Sequence, residues 1–195
     1  MIKIKAGNIC NLTDARYFAA IGATWMGFSF KEKSQEKLTI EDAKAIKDWI
    51  SGPEIIIELD KFDGDLIFEL TNTLGANLIQ LPISEIDKVP TEYNCVFEIE
   101  EENVRNSEIE MIKKTNVFNL IINVKGAIEF LKTIEKFPNA IYNFDMKGSE
   151  VQVLLEKYPV KNLELKGSLE EAVGIKSYDD LNELIDWLEE KEMLV

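Results

Sequence analysis

Short runs of β-branched and aliphatic residues alternate along this chain with longer polar stretches in which apolar residues return every three or four positions. The runs Ile2–Ala6, Ala23–Phe30, Glu54–Asp60, Ala76–Leu81, Cys95–Glu100, Val117–Val124, Ala140–Asp145 and Lys161–Lys166 have the length and composition of strands. Each is followed by a polar turn and, in most cases, by a helical pattern. After Ser177, for example, Leu181, Leu184, Ile185 and Leu188 fall on one face at helical spacing. Thr39 with Asp42, and Ser177 with Asp180, have the spacing of helix-start caps, while Gly22, Gly52 and Gly75 fall at helix stops. The fourth unit is weak, because Ser84 to Lys88 leaves room for little more than one turn. Periodicity alone allows an open doubly wound sheet. Eight strand–helix units in 195 residues, without a Gly-rich dinucleotide fingerprint, predict a (β/α)8 TIM barrel spanning residues 1–195 as a single domain.

Strand residues alternate faces, so the polar residues near the strand ends can be sorted by parity. Lys5 with Gly7, Glu58 with Asp60, Glu98 with Glu100, Asn123 with Lys125, Asn143 with Asp145, and Glu164 with Lys166 each share one parity. If that parity faces inward, the barrel has an apolar floor and a polar, mostly acidic mouth at its C-terminal end, where sites in this fold lie.

Composition narrows the chemistry. The net charge is −14 with no basic cluster, so neither nucleic acid nor an anionic membrane is expected as a partner. The N-terminus runs directly into a Lys/Ile alternation and no apolar run approaches the roughly 18 residues of a membrane span, so a cytoplasmic protein is expected. The absence of histidine excludes His-based acid–base chemistry, Ser-His triads and His metal sites. Cys10 and Cys95 have no paired spacing, which predicts reduced residues rather than a disulfide or zinc site. No cofactor and no metal are expected, since carboxylates at strand ends carry no spacing code for a cation.

Particular motifs add a family resemblance. Lys5-Ala6-Gly7-Asn8-Ile9-Cys10-Asn11-Leu12-Thr13-Asp14-Ala15 is similar to the Lys-Ile-Cys-Gly-Ile-Thr-Asn-Leu-Glu-Asp-Ala pattern of phosphoribosylanthranilate isomerases, the TrpF family. Gly27-Phe28-Ser29-Phe30, Lys33-Ser34 and Thr39-Ile40-Glu41-Asp42-Ala43 resemble further blocks of that family, as do Leu120–Lys125 and Glu164–Glu170. The resemblance implies a TIM barrel that performs an Amadori rearrangement of a phosphoribosylated aromatic amine, using a thiol as base and a carboxylic acid as acid.

This chain departs from the pattern where the chemistry lies. The thiol position is Gly7, which has no side chain, and the acid position is Asn123, an amide that cannot donate as a carboxylic acid does. The family's arginine near the substrate carboxylate aligns with Glu36, which repels that group. The Gly-rich stretch after the acid is missing, as Gly126 leads almost directly into a helix. Lys166, Gly167 and Ser168 keep part of a phosphate seat, although Asp145 replaces a Gly-Gly pair on the partner loop. Lys5, Glu36, Gln80, Asp145, Lys166, Gly167 and Ser168 are therefore the expected ligand-binding positions, and a phosphorylated small molecule the expected ligand class. The reading is a TrpF-like barrel not competent for the Amadori isomerisation, acting as a ligand-binding or altered-activity descendant. The alternatives are an isomerase that recruits Cys10 or a mouth carboxylate as its base, and a non-catalytic interaction protein.

Overall fold

The computed structural model describes residues 1–32, 38–104, 117–167 and 178–195. Eight strands form one closed barrel in sequence order: β1 (Lys3–Ile9), β2 (Trp25–Ser29), β3 (Glu54–Glu58), β4 (Leu78–Pro82), β5 (Asn94–Glu100), β6 (Val117–Val124), β7 (Ile141–Phe144) and β8 (Asn162–Lys166). Every pairing is parallel, and β8 closes on β1 with Glu164 opposite Lys5 and Lys166 opposite Gly7. Parallel neighbours require crossovers. These are supplied among the described residues by α1 (Leu12–Ala20), α2 (Ile40–Trp49), α3 (Gly64–Leu74), a single 3-10 segment (Ile83–Lys88), α4 (Ala127–Lys136), α5 (Gly148–Lys157) and α6 (Asp179–Glu190).

The caps at Thr39, Gly22 and Gly75 behave as the sequence predicts, whereas α2 ends on an extended Ile50 and Gly52 lies two residues beyond that cap. Thr39 Oγ1 accepts from the Asp42 amide at 3.1 Å, and Gly75 ends α3 at φ 63°, a conformation that a Cβ disfavours. The expected Ser177 cap lies outside the described residues. The weak fourth unit is the 3-10 segment.

Alternation then divides the core. Trp25, Ile56, Leu78, Val96, Ile121 and Ile141 form a separate buried cluster that fills the floor of the barrel. Their strand neighbours, such as Met26, Ile57, Ile79, Phe97, Ile122 and Tyr142, join the larger core with Phe18, Ile46, Leu70, Phe130, Leu154 and Leu188 from the helices. The α6 face expected from spacing is buried at Leu184, Ile185 and Leu188, and beyond that helix Leu194 pairs with Ile2.

Most strand ends differ from the sequence reading by one or two residues, and β1 differs most. β1 continues past Ala6 to Ile9, with a register shift between Ala6 and Ile9 and a left-handed Asn8 at φ 55°. This bulge absorbs an extra residue without ending the strand. It also aims the Asn8 amide into the barrel, at 3.2 Å from both carboxylate oxygens of Glu58.

Candidate functional site

Above the apolar floor, the inward parity turns polar. Lys5 is completely buried, and its Nζ donates at 2.7 Å to Glu58 Oε1 and at 2.7 Å to Glu164 Oε1. Lys31 Nζ lies 3.6 Å from Glu58 Oε2 and 3.4 Å from Glu98 Oε2, and Lys166 Nζ lies 3.6 Å from Glu164 Oε2. The result is an alternating chain, Lys166–Glu164–Lys5–Glu58–Lys31–Glu98, wrapped around the interior. Amides extend it. Gln80 Nε2 donates to Glu98 at 3.0 Å, Asn123 Nδ2 donates to Glu98 at 3.0 Å and to Glu100 at 2.9 Å, and Asn143 Nδ2 donates to Asn123 Oδ1 at 2.7 Å.

Two glycines make room for the buried carboxylates. A Cβ on Gly27 would sit 1.8 Å from Glu58 Oε1, and a Cβ on Gly7 would sit 2.4 Å from Glu164 Oε1. Both distances are far inside van der Waals contact. The bare strand positions are thus filled by side chains from neighbouring strands rather than left as space for a ligand.

The charges hold one another ionised. Burial alone would lower the Lys5 ammonium, but Glu164 and Glu58 outweigh it and hold its pKa above the ordinary 10.5. Burial would raise Glu58, yet Lys5, Lys31 and the Asn8 amide carry it down to about 2. Glu98 is lowered despite its burial by Lys31 and the Asn123 hydrogen bond, and Lys31 is raised despite its burial by Glu58 and Glu98. Two carboxylates of the expected acidic mouth are thus paired inside the barrel. Glu58 and Glu164 lie deep in the barrel and are neutralised by lysines, Asp60 is half-buried and Asp145 is exposed. Among the described residues, no cluster of Cys, Asp and Glu is arranged to hold a metal ion.

Beside the network opens a cavity of about 520 Å³ on the β5–β8 side, lined by Asn123, Lys125, Asn143, Asp145, Lys147, Glu164 and Lys166 and by Gly148, the first residue of α5. Glu100 and Asp180 also line it, so three lysines face four carboxylates, and Lys125 is paired with Glu100 at 2.9 Å. Gly167 was expected beside a phosphate but is not on the lining. A Cβ there would meet Asp14 Oδ1 at 2.7 Å, so the strand leaves the barrel against a carboxylate held by Asn11 and Tyr178. Glu36 and Ser168 lie outside the described residues. Gln80 is buried below the mouth, 18 residues before its partner Glu98.

Cys10 Sγ donates to the Asn8 carbonyl at 3.5 Å, and Cys95 is buried in the outer core, where desolvation pushes its thiol up to about 11. Lys31 was overlooked in the sequence. Continuing the inward parity of Trp25, Gly27 and Ser29 by one step beyond the strand end would have found it.

The known proteins most informative here share this architecture. The solved phosphoribosylanthranilate isomerase of Thermus thermophilus superposes with a TM-score of 0.76 over 97% of this chain and 100% of its own, at 19% identity. That of Pyrococcus furiosus gives 0.75 over 97% and 100%, at 14% identity. In sequence, the N-(5'-phosphoribosyl)anthranilate isomerase of Chlamydia caviae is 28% identical over 104 residues, which are 50% of each chain. The chain is similar to phosphoribosylanthranilate isomerases in its fold and, over half of its length, in its sequence. The Chlamydia felis isomerase matches at 27% over the same share, so the chain spans about half the length of the curated relatives it matches. No protein-family model matches it. In this barrel the two positions that the motif resemblance assigns to base and acid are Gly7, covered by Glu164, and Asn123, tied to Glu98 and Glu100.

Proposed function

We propose that this isomerase-like barrel binds a small phosphorylated molecule in the cavity on its β5–β8 side and does not perform the Amadori isomerisation of phosphoribosylanthranilate. The observation that carries the reading is the overlap of Glu164 Oε1 with the space a side chain at residue 7 would need, 2.4 Å from a Cβ built there. A thiol base has no room, and Asn123 has its amide engaged by two carboxylates. An amide so held supplies no proton for opening a ribose ring.

Support for the ligand class comes from charge and geometry. Lys147 lies on the cavity beside the amide end of α5, which suits a phosphate, while Lys125 and Lys166 line it with their carboxylate partners Glu100 and Glu164. The test is calorimetric titration with ribulose 5-phosphate and with inorganic phosphate. Saturable binding of both is expected, weakened at least tenfold by Lys166→Glu. Failure of the protein to bind either, or binding indifferent to Lys166→Glu, overturns the reading.

A further inference from the structure

We propose that Asp14 and Tyr178 are positioning residues for the cavity, holding the wall formed by the end of β8 and the first turn of α6 at the spacing from α5 that phosphate binding requires. The inference rests on the reading that the cavity takes a phosphorylated molecule.

Three elements meet at the Asp14 carboxylate. Asp14 lies in the first turn of α1 and is buried. Its amide donates to Asn11 Oδ1, the cap of that helix, and Asn11 Nδ2 donates back to Asp14 Oδ2, both at 2.9 Å, so the cap orients the carboxylate. From α6, the Tyr178 hydroxyl donates to Asp14 Oδ1. From β8, Gly167 lies against the same group, where a Cβ would sit 2.7 Å from Oδ1 and 3.0 Å from Oδ2.

Local rules give neither residue another reason. Tyr178 occupies the N-cap of α6, yet its side chain caps no amide there, and tyrosine is not a residue that this position favours. Its hydroxyl is spent on α1 instead. Gly167 is not among the glycines with positive φ, so its backbone does not demand glycine, whereas the room taken by Asp14 does. A local preference set aside at both positions in favour of one shared contact marks that contact as the feature being kept.

The same residues lead to the cavity. Lys166 precedes Gly167, and Asp180, Leu181 and Leu184 follow Tyr178 on α6; all four line the cavity. Gly148, at the amide end of α5, sits across from that turn, since a Cβ built on it would be 3.8 Å from the Asp180 carbonyl oxygen. α1 grips α6 a second time. Tyr17 stacks on Tyr178 with ring centroids 4.3 Å apart, and its hydroxyl donates to Asn182 Oδ1 at 2.7 Å. Residues 178 and 182 are one helical turn apart, so both the position and the tilt of the turn that faces α5 are set from α1. A binding site is only as well ordered as the contacts that support it.

The experiment titrates inorganic phosphate into the full chain by calorimetry and records the melting temperature of each variant. Tyr178→Phe keeps the ring that stacks on Tyr17, removes the hydroxyl, and should weaken phosphate binding about fivefold or more. Thr39→Ala is the control for general destabilisation: it removes the cap of α2, outside the cavity lining, and should lower the melting temperature with phosphate affinity unchanged. Should Tyr178→Phe fail to fold, Asn182→Ala removes the exposed bond of the same grip and should weaken binding about twofold or more. Unchanged affinity in the variant so measured, or an equal loss in Thr39→Ala, overturns the proposal and leaves the binding function standing. Absence of phosphate binding by the unmodified chain overturns both.

Discussion

At the level of single residues, the interior is governed by two contacts in which a glycine on one strand accepts a carboxylate from another. Gly7 faces Glu164 and Gly27 faces Glu58, and Lys5 bridges the two carboxylates. Removing one member of such a buried group leaves an uncompensated charge, so Lys5→Met should cost about 3–5 kcal/mol in urea denaturation. A loss below about 1 kcal/mol would mean that the pairing contributes little. Gly7→Ala should cost about 1–3 kcal/mol by overpacking, and markedly less in a Glu164→Asp background, where the carboxylate is withdrawn. The double-mutant cycle reads this coupling directly. Additive effects would show that residues 7 and 164 do not compete for the same space. Parity exposed these residues in the sequence as inward and polar. It could not show which carboxylate meets which lysine, because that depends on the stagger between strands.

Among the elements, those with strong local signals were the legible ones. All eight strands were recognisable from their apolar runs, and Thr39 and Gly75 mark helix ends by chemistry that acts within four residues. Thr39→Ala should accordingly destabilise the protein by about 1 kcal/mol, checked as a shift in the urea midpoint. The extension of β1 to Ile9 was not legible, since a bulge at Asn8 is stabilised by Glu58, 50 residues away. The cavity was hidden for a similar reason. It depends on how β7, β8 and the start of α5 splay, whereas sequence patterns specify only that these elements exist.

For the molecule as a whole, the internal chain of charge links stability to pH. Glu58 and Glu98 are lowered from the ordinary 4.5, so their contribution is complete above that value and is lost as pH falls through their folded values, about 2 for Glu58. Lys5 and Lys31 are raised from 10.5, so theirs is complete below that value and is lost as pH rises through the folded values. With no histidine in the chain, melting temperature should hold a plateau between these limits and fall on both sides. A maximum confined near the isoelectric point of 4.5 would contradict this account. The barrel shares its architecture with solved phosphoribosylanthranilate isomerases, while Glu164 fills the space beside Gly7 and Asn123 is held by Glu98 and Glu100. The most direct measurement is turnover of phosphoribosylanthranilate by the purified, unmodified chain, followed by the disappearance of substrate fluorescence. The account predicts no rate above the uncatalysed background at any protein concentration, and a rate that scales with protein concentration would contradict it.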